Sequence, residues 1–134
     1  MIALDTNLLA RYLLNDDKPQ ARAAARLLSG KEDCTAPPTV LLELAWVLKA
    51  NGCSREDIAR GLRLLFGLPN FRPLQFEAVC RALDWFDRGM DFGDALHLAL
   101  SAPASRFATF DKGFARQAQA QGASAEVILI DEGS

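Results

Sequence analysis

The residues in this sequence best suited to chemistry are four carboxylates: Asp5, Glu43, Asp94 and Asp111. Competing chemistries have little to work with. There is one histidine, His97, and three cysteines, Cys34, Cys53 and Cys80, with no CxxC pair. The odd count and long spacings argue against a zinc site built on Cys and His. The thiols read as small buried or half-buried side chains in a reducing compartment. Glu43 is the most unusual of the acids, because its sequence neighbours are Val40, Leu41, Leu42, Leu44, Ala45, Trp46, Val47 and Leu48. A glutamate in so apolar a helix is expected to be at least partly buried. A buried carboxylate without a partner or a metal is costly. The other reading places Glu43, Ala50 and Asn51 on a solvent-facing stripe.

The remaining acids take their meaning from the elements that must position them. Ile2–Asp5 reads as a short strand ending in an acid, and Asn7–Leu14 as a helix with Leu8, Leu9, Tyr12 and Leu13 on one face. Pro19 suits an early helical position, followed by the good helix formers of 20–28 and a stop at Ser29-Gly30. A weak strand is expected at 33–36. Pro37-Pro38-Thr39 opens a helix to about Ala50, and Ser54 with Asp57 forms a capping-box start for another that runs to Phe66. A third short strand is expected at 71–74 and helices at 76–86 and 93–100. A strand at 106–110, a helix at 112–121 and a strand at 126–130 complete the chain. Strands alternating with helices predict an α/β domain with a largely parallel sheet. In such sheets ligands bind beyond the carboxyl ends of the strands. Asp5 and Asp111 each follow a strand directly, and Asp94 falls in a helix's first turn. Plain structural roles remain open for all three: Asp5 and Asp111 as N-caps, Asp94 as a helix-dipole partner. Asp91, three residues before Asp94, is read equally well as a helix start or an auxiliary acid.

At 134 residues the chain has the length of one domain, spanning 1–134. Half of it is apolar and 24% charged, the balance of a soluble globular protein. No apolar run approaches the ~20 residues of a membrane helix. The N-terminus has no basic region before Asp5, so it does not read as a signal peptide, and a cytoplasmic location is expected. A net charge of −2 argues mildly against tight nonspecific binding to a nucleic-acid backbone, without excluding a nucleic-acid substrate.

Four segments, LDTNLLARYL, APPTVLLELAWVL, DFGDALHLAL and TFDKGFAR, resemble the successive motifs of the PIN-domain family, in its order and at its spacings. The length and layout look most like the bacterial VapC-type toxins of toxin–antitoxin pairs. The resemblance implies a PIN-like three-layer α/β/α sandwich with a short, mainly parallel central sheet. It implies that Asp5, Glu43, Asp94 and Asp111 are the catalytic, metal-binding acids. Thr6 and Asn7 would shape the first motif, and the Thr109 hydroxyl would support the last. His97 reads as a packed or surface side chain rather than a ligand.

Oxygen-only ligands suit Mg²⁺ or Mn²⁺ rather than zinc. The implied activity is a metal-dependent endoribonuclease, a hydrolase leaving a 5′-phosphate and a 3′-hydroxyl. The implied partners are an RNA substrate, a cognate antitoxin and a second copy of the chain in a homodimer, with no membrane. Candidate cations for the RNA are Arg11, Lys49, Lys112 and Arg116. Trp46 and Phe110 are possible stacking surfaces but fit a core better. Leu62, Leu65, Phe66 and Leu68 mark a helix whose apolar face is a candidate uncovered surface. The alternative function is a PIN-like module that binds RNA or protein without cutting. A phosphatase of the haloacid-dehalogenase type wants a second aspartate where Asn7 stands. A receiver domain wants paired acids and a strand-end lysine. Neither accounts for Glu43.

Overall fold

A computed structural model describes residues 1–132, and in it the chain divides into two compact units, Met1–Phe76 and the chain from Glu77 onward. The first unit begins with β1 (Ile2–Ala3), α1 (Thr6–Leu14), α2 (Lys18–Leu28) and β2 (Cys34–Thr35). It continues with α3 (Pro38–Ala50) and α4 (Arg55–Phe66). β1 and β2 are parallel, with Ile2 opposite Cys34 and Ala3 opposite Thr35. The expected strand at 71–74 is reduced to a single parallel bridge between Phe71 and Cys34. The segment still runs along β2, through Cys34 N–H to Asn70 O (2.7 Å), Arg72 N–H to Cys34 O (3.1 Å) and Leu74 N–H to Ala36 O (3.0 Å). Pro73 lies between the two donors, so its missing N–H costs the ladder nothing.

Local chemistry sets the helix ends. Asn15 closes α1 in the left-handed conformation, at φ 54°, a geometry Asn tolerates better than most residues. Asp17 caps α2 through a bond from Gln20 N–H, with Pro in its first turn. The capping box of Ser54 and Asp57 forms as the sequence predicts, with both reciprocal bonds present. α1 packs against α2 and α3, and α3 against α4. Leu9, Leu28, Leu41, Leu44, Leu62 and Leu65 are fully buried. This corrects the expectation for α4. Leu62 and Leu65 are core, Phe66 and Leu68 are half-buried, and the exposed apolar residue of that helix is Leu64, at 53%. Phe66 also packs edge-on against Phe76, with centroids 5.9 Å apart. The buried Thr35 hydroxyl has no hydrogen-bond partner among the described residues.

The second unit contains α5 (Phe76–Asp87) from its second residue on, α6 (Phe92–Leu100), β3 (Arg106–Thr109), α7 (Lys112–Gln121) and β4 (Glu126–Leu129). β3, α7 and β4 form a strand–helix–strand crossover, which a parallel pair requires. The register runs from Arg106 opposite Glu126 to Thr109 opposite Leu129. Gly89 ends α5 at φ +108°, a conformation that favours glycine. α7 is tied back to that turn by Gln117 Nε2 donating to Gly89 O (3.2 Å) and Arg88 donating to Gln121 Oε1 (3.2 Å). Phe107 stacks on Phe114 at 5.1 Å, holding α7 to β3. The strands pair in parallel, as the sequence predicts, and do so as two separate two-stranded sheets, β1–β2 and β3–β4. Among the described residues no cysteine forms a disulfide; Cys34 is buried and Cys53 and Cys80 are partly so. Among the described residues no helix is long and apolar enough to cross a membrane.

Candidate functional site

In the first unit Asp5 stands where β1 hands over to α1. Its backbone is extended, at φ −91° and ψ 172°, and its Oδ1 accepts from Leu8 N–H at 2.9 Å. This is the N-cap geometry that satisfies an otherwise orphaned helix donor. The cap commits one carboxylate oxygen, and the residue is exposed. Beside it lies a cavity of about 400 Å³ with Asp5, Asn7, Arg11 and Gln20 among its polar lining residues and Leu8 and Leu27 among its apolar ones. No spacing of residues signals this cavity, which depends on how α2 lies along α1. Arg11, one of the candidate cations, is engaged. Its guanidinium bonds to Asp16 Oδ2 at 2.8 Å and Gln20 Oε1 at 3.1 Å. The Arg11 bond holds the Asp16 carboxyl below the usual carboxylate range.

Glu43 lies in the middle of α3 and is exposed, which corrects the expectation of partial burial. Successive helical residues point about 100° apart, so the leucines flanking Glu43 in sequence do not share its face. Leu41, Leu44, Ala45 and Leu48 are turned inward, while Thr39, Glu43, Trp46 and Ala50 are exposed. The solvent-stripe reading was the right one. Trp46 is itself 60% exposed, contrary to the expectation that it belongs to the core.

In the second unit the acids sit at two helix starts. Asp91 caps α6, its Oδ2 accepting from Asp94 N–H at 3.0 Å, which gives Asp91 its helix-start role. Asp94 is the third residue of α6 and half-buried. Desolvation raises its pKa above the ordinary value, repulsion from Asp91 and Asp111 raises it further, and His97 opposes the shift. Asp111 follows β3 and caps α7, with Oδ1 accepting from Phe114 N–H at 3.0 Å. The Thr109 hydroxyl accepts from Asp111 N–H at 3.0 Å. A Cβ at position 113 would lie 3.3 Å from Asp111 Oδ1, so Gly113 leaves room for the capping carboxylate. Phe110, expected in the core, is 62% exposed.

Among the described residues no group of three or more His, Cys, Asp or Glu side chains is placed to hold a metal ion. The donor chemistry nonetheless suits a hard cation. Asp91 and Asp111 are each near enough to repel Asp94, and like charges so arranged are relieved by a cation.

Residues 2–120 match the family model described as PIN domain. The chain belongs to the PIN-domain family, and its helix-rich α/β architecture with short parallel sheets is PIN-like. Among solved structures it is similar to VapC20 of Mycobacterium tuberculosis, described as a toxin that cleaves the sarcin–ricin loop. Identity is 18%, the alignment covers 95% of this chain and 98% of that one, and the TM-score is 0.42. Comparison with curated proteins finds no match.

Proposed function

We propose that the chain is a metal-dependent endoribonuclease, the toxin of a type II toxin–antitoxin pair, with residues 1–134 acting as one PIN-like domain. The observation that carries this reading is the PIN match over residues 2–120, within which all four motif acids fall in order. PIN-domain proteins are typically nucleases, and the lengths and spacings here resemble the VapC-type toxins.

In this reading Asp5, Glu43, Asp94 and Asp111 hold Mg²⁺ or Mn²⁺. When bound, the cation supplies charge that activates water and neutralises the scissile phosphate. The chain's own residues prepare for it. Asp5 and Asp111 each commit one oxygen to a helix N–H, which fixes the carboxylate and leaves the other oxygen to the ion. Thr109 holds the Asp111 backbone in register. Asp94 carries the repulsion that a cation relieves. Glu43 is unburied and free of a core role, which suits an acid that must meet an ion and a polyanion. The partners in this reading are RNA, a cognate antitoxin and a second copy of the chain, in the cytoplasm.

The test is cleavage of structured RNA by the purified protein, free of inhibitor, with and without Mg²⁺ or Mn²⁺, and with Asp94→Asn. Metal-dependent cutting lost in the variant is expected. RNA binding without cutting under every metal condition overturns the nuclease reading in favour of a binding module.

A further inference from the structure

We propose that Trp46 is a stacking platform for a base of the bound RNA. This rests on the ribonuclease reading and adds to it a substrate-binding residue outside the four acids.

The argument starts from exposure. Tryptophan is highly buried on average in folded proteins, and the chain's other tryptophan, Trp85, is only 4% exposed. Trp46 shows 60% of its surface. The surrounding face of α3 is not a continuous apolar surface of the kind that packs against a protein. Its exposed members are Thr39, Glu43, Lys49 and Ala50. Trp46 therefore stands as a single aromatic plane with an acid one turn before it and a cation one turn after. Phe110 differs, because its exposed neighbours at the end of β3 and β4 include Leu129 and Ile130, an apolar edge rather than an isolated ring.

Residues three apart on a helix have Cβ atoms about 5–6 Å from each other. A base lying on Trp46 thus belongs to a nucleotide beside the Glu43 carboxylate. Lys49, exposed and three residues further on, is placed to meet a phosphate of the same strand. Aromatic faces accept any base, but only one whose own face is free. Paired bases, stacked within a duplex, do not offer it.

Intrinsic fluorescence reads this directly, since Trp46 is the exposed indole and Trp85 the buried one. In metal-free buffer a short oligoadenylate is expected to quench the emission, while inorganic polyphosphate, equally anionic but without bases, is not. Trp46→Leu is expected to weaken oligoadenylate binding, followed by anisotropy of a labelled strand, by roughly tenfold or more. Trp46→Phe restores most of it, and neither variant shifts the melting curve. With metal, Trp46→Leu raises KM for a hairpin substrate while leaving kcat close to wild type. Equal affinity and equal KM in Trp46→Leu overturn the inference. So does a change of oligomeric state by sedimentation without loss of RNA affinity, which assigns Trp46 to an interface between copies. If oligoadenylate binds through Trp46 but no RNA is cut with any metal, the platform stands and the ribonuclease reading falls. If RNA is cut and Trp46→Leu cuts it equally well, the platform alone falls.

Discussion

Asp5 and Asp111 each do two things at once, and substitution separates them. As N-caps they satisfy Leu8 and Phe114 N–H groups; as proposed ligands they supply charge. Asparagine caps about as well as aspartate, whereas alanine forfeits about 1 kcal/mol. Asp111→Asn is therefore expected to melt within a degree or so of wild type, and Asp111→Ala to lose about 1 kcal/mol by chemical denaturation. Both should lose metal-dependent cleavage. Full activity in Asp111→Asn would remove that residue from the metal site. Asp94 makes a prediction about pH. Its folded pKa is raised above 3.8, by desolvation first and then by Asp91 and Asp111, so the folded state holds this proton more tightly than the unfolded one. The resulting stabilisation is complete below the ordinary aspartate pKa and disappears as pH rises through the folded value. At neutral pH the charged Asp94 is thus a burden on the metal-free protein. Asp94→Asn should melt higher than wild type there, and the gap should close as the pH is lowered past the ordinary aspartate range.

At the scale of elements, α3 and α4 reverse what their composition suggests. α3 carries its acid and its tryptophan outward, and α4 turns Leu62 and Leu65 into the core. Leu62→Ala is expected to cost ~2–5 kcal/mol, as other large-to-small core changes do. A loss below about 0.5 kcal/mol would mean that this face is not packed. β2 holds the opposite kind of defect, since the buried Thr35 hydroxyl lacks a partner among the described residues. Burying a hydroxyl without a hydrogen bond costs about 1–3 kcal/mol, so Thr35→Val should leave stability unchanged or raise it by up to about that amount in urea unfolding.

For the molecule as a whole, a ligand that binds only the folded state stabilises it by mass action. At about a hundredfold excess over Kd the gain is ~2.7 kcal/mol. Mg²⁺ or Mn²⁺ is accordingly expected to raise the melting temperature, and a chelator to reverse the rise. Glu43→Gln and Asp5→Asn should each shrink the shift with little effect on the metal-free curve, because neither side chain is part of the core. A melting curve unmoved by millimolar metal counts against the whole carboxylate assignment, whichever acid is altered.

What the sequence determined alone were the features set by neighbours a few residues apart. The Ser54–Asp57 capping box, Pro19 in the first turn of α2, the turn at Gly89 and the bounds of α7 all follow from local backbone chemistry, as does the placement of Asp5 and Asp111 just beyond strands. The order of the four acidic motifs was equally legible, and with it the family. Tertiary structure decided which side of each element meets the core. Glu43 and Trp46 sit among leucines in the chain yet face solvent, because a helix distributes adjacent residues around its axis and packing selects only one stripe. Leu62 and Leu65 go inward by the same selection. Arg11 became the partner of Asp16 and Gln20 because α2 folds back against α1, a juxtaposition that no spacing within either helix encodes. The acids themselves were readable from the start. Their surroundings, a cap bond on Asp5, mutual repulsion on Asp94 and an exposed tryptophan one turn from Glu43, came only with the packing.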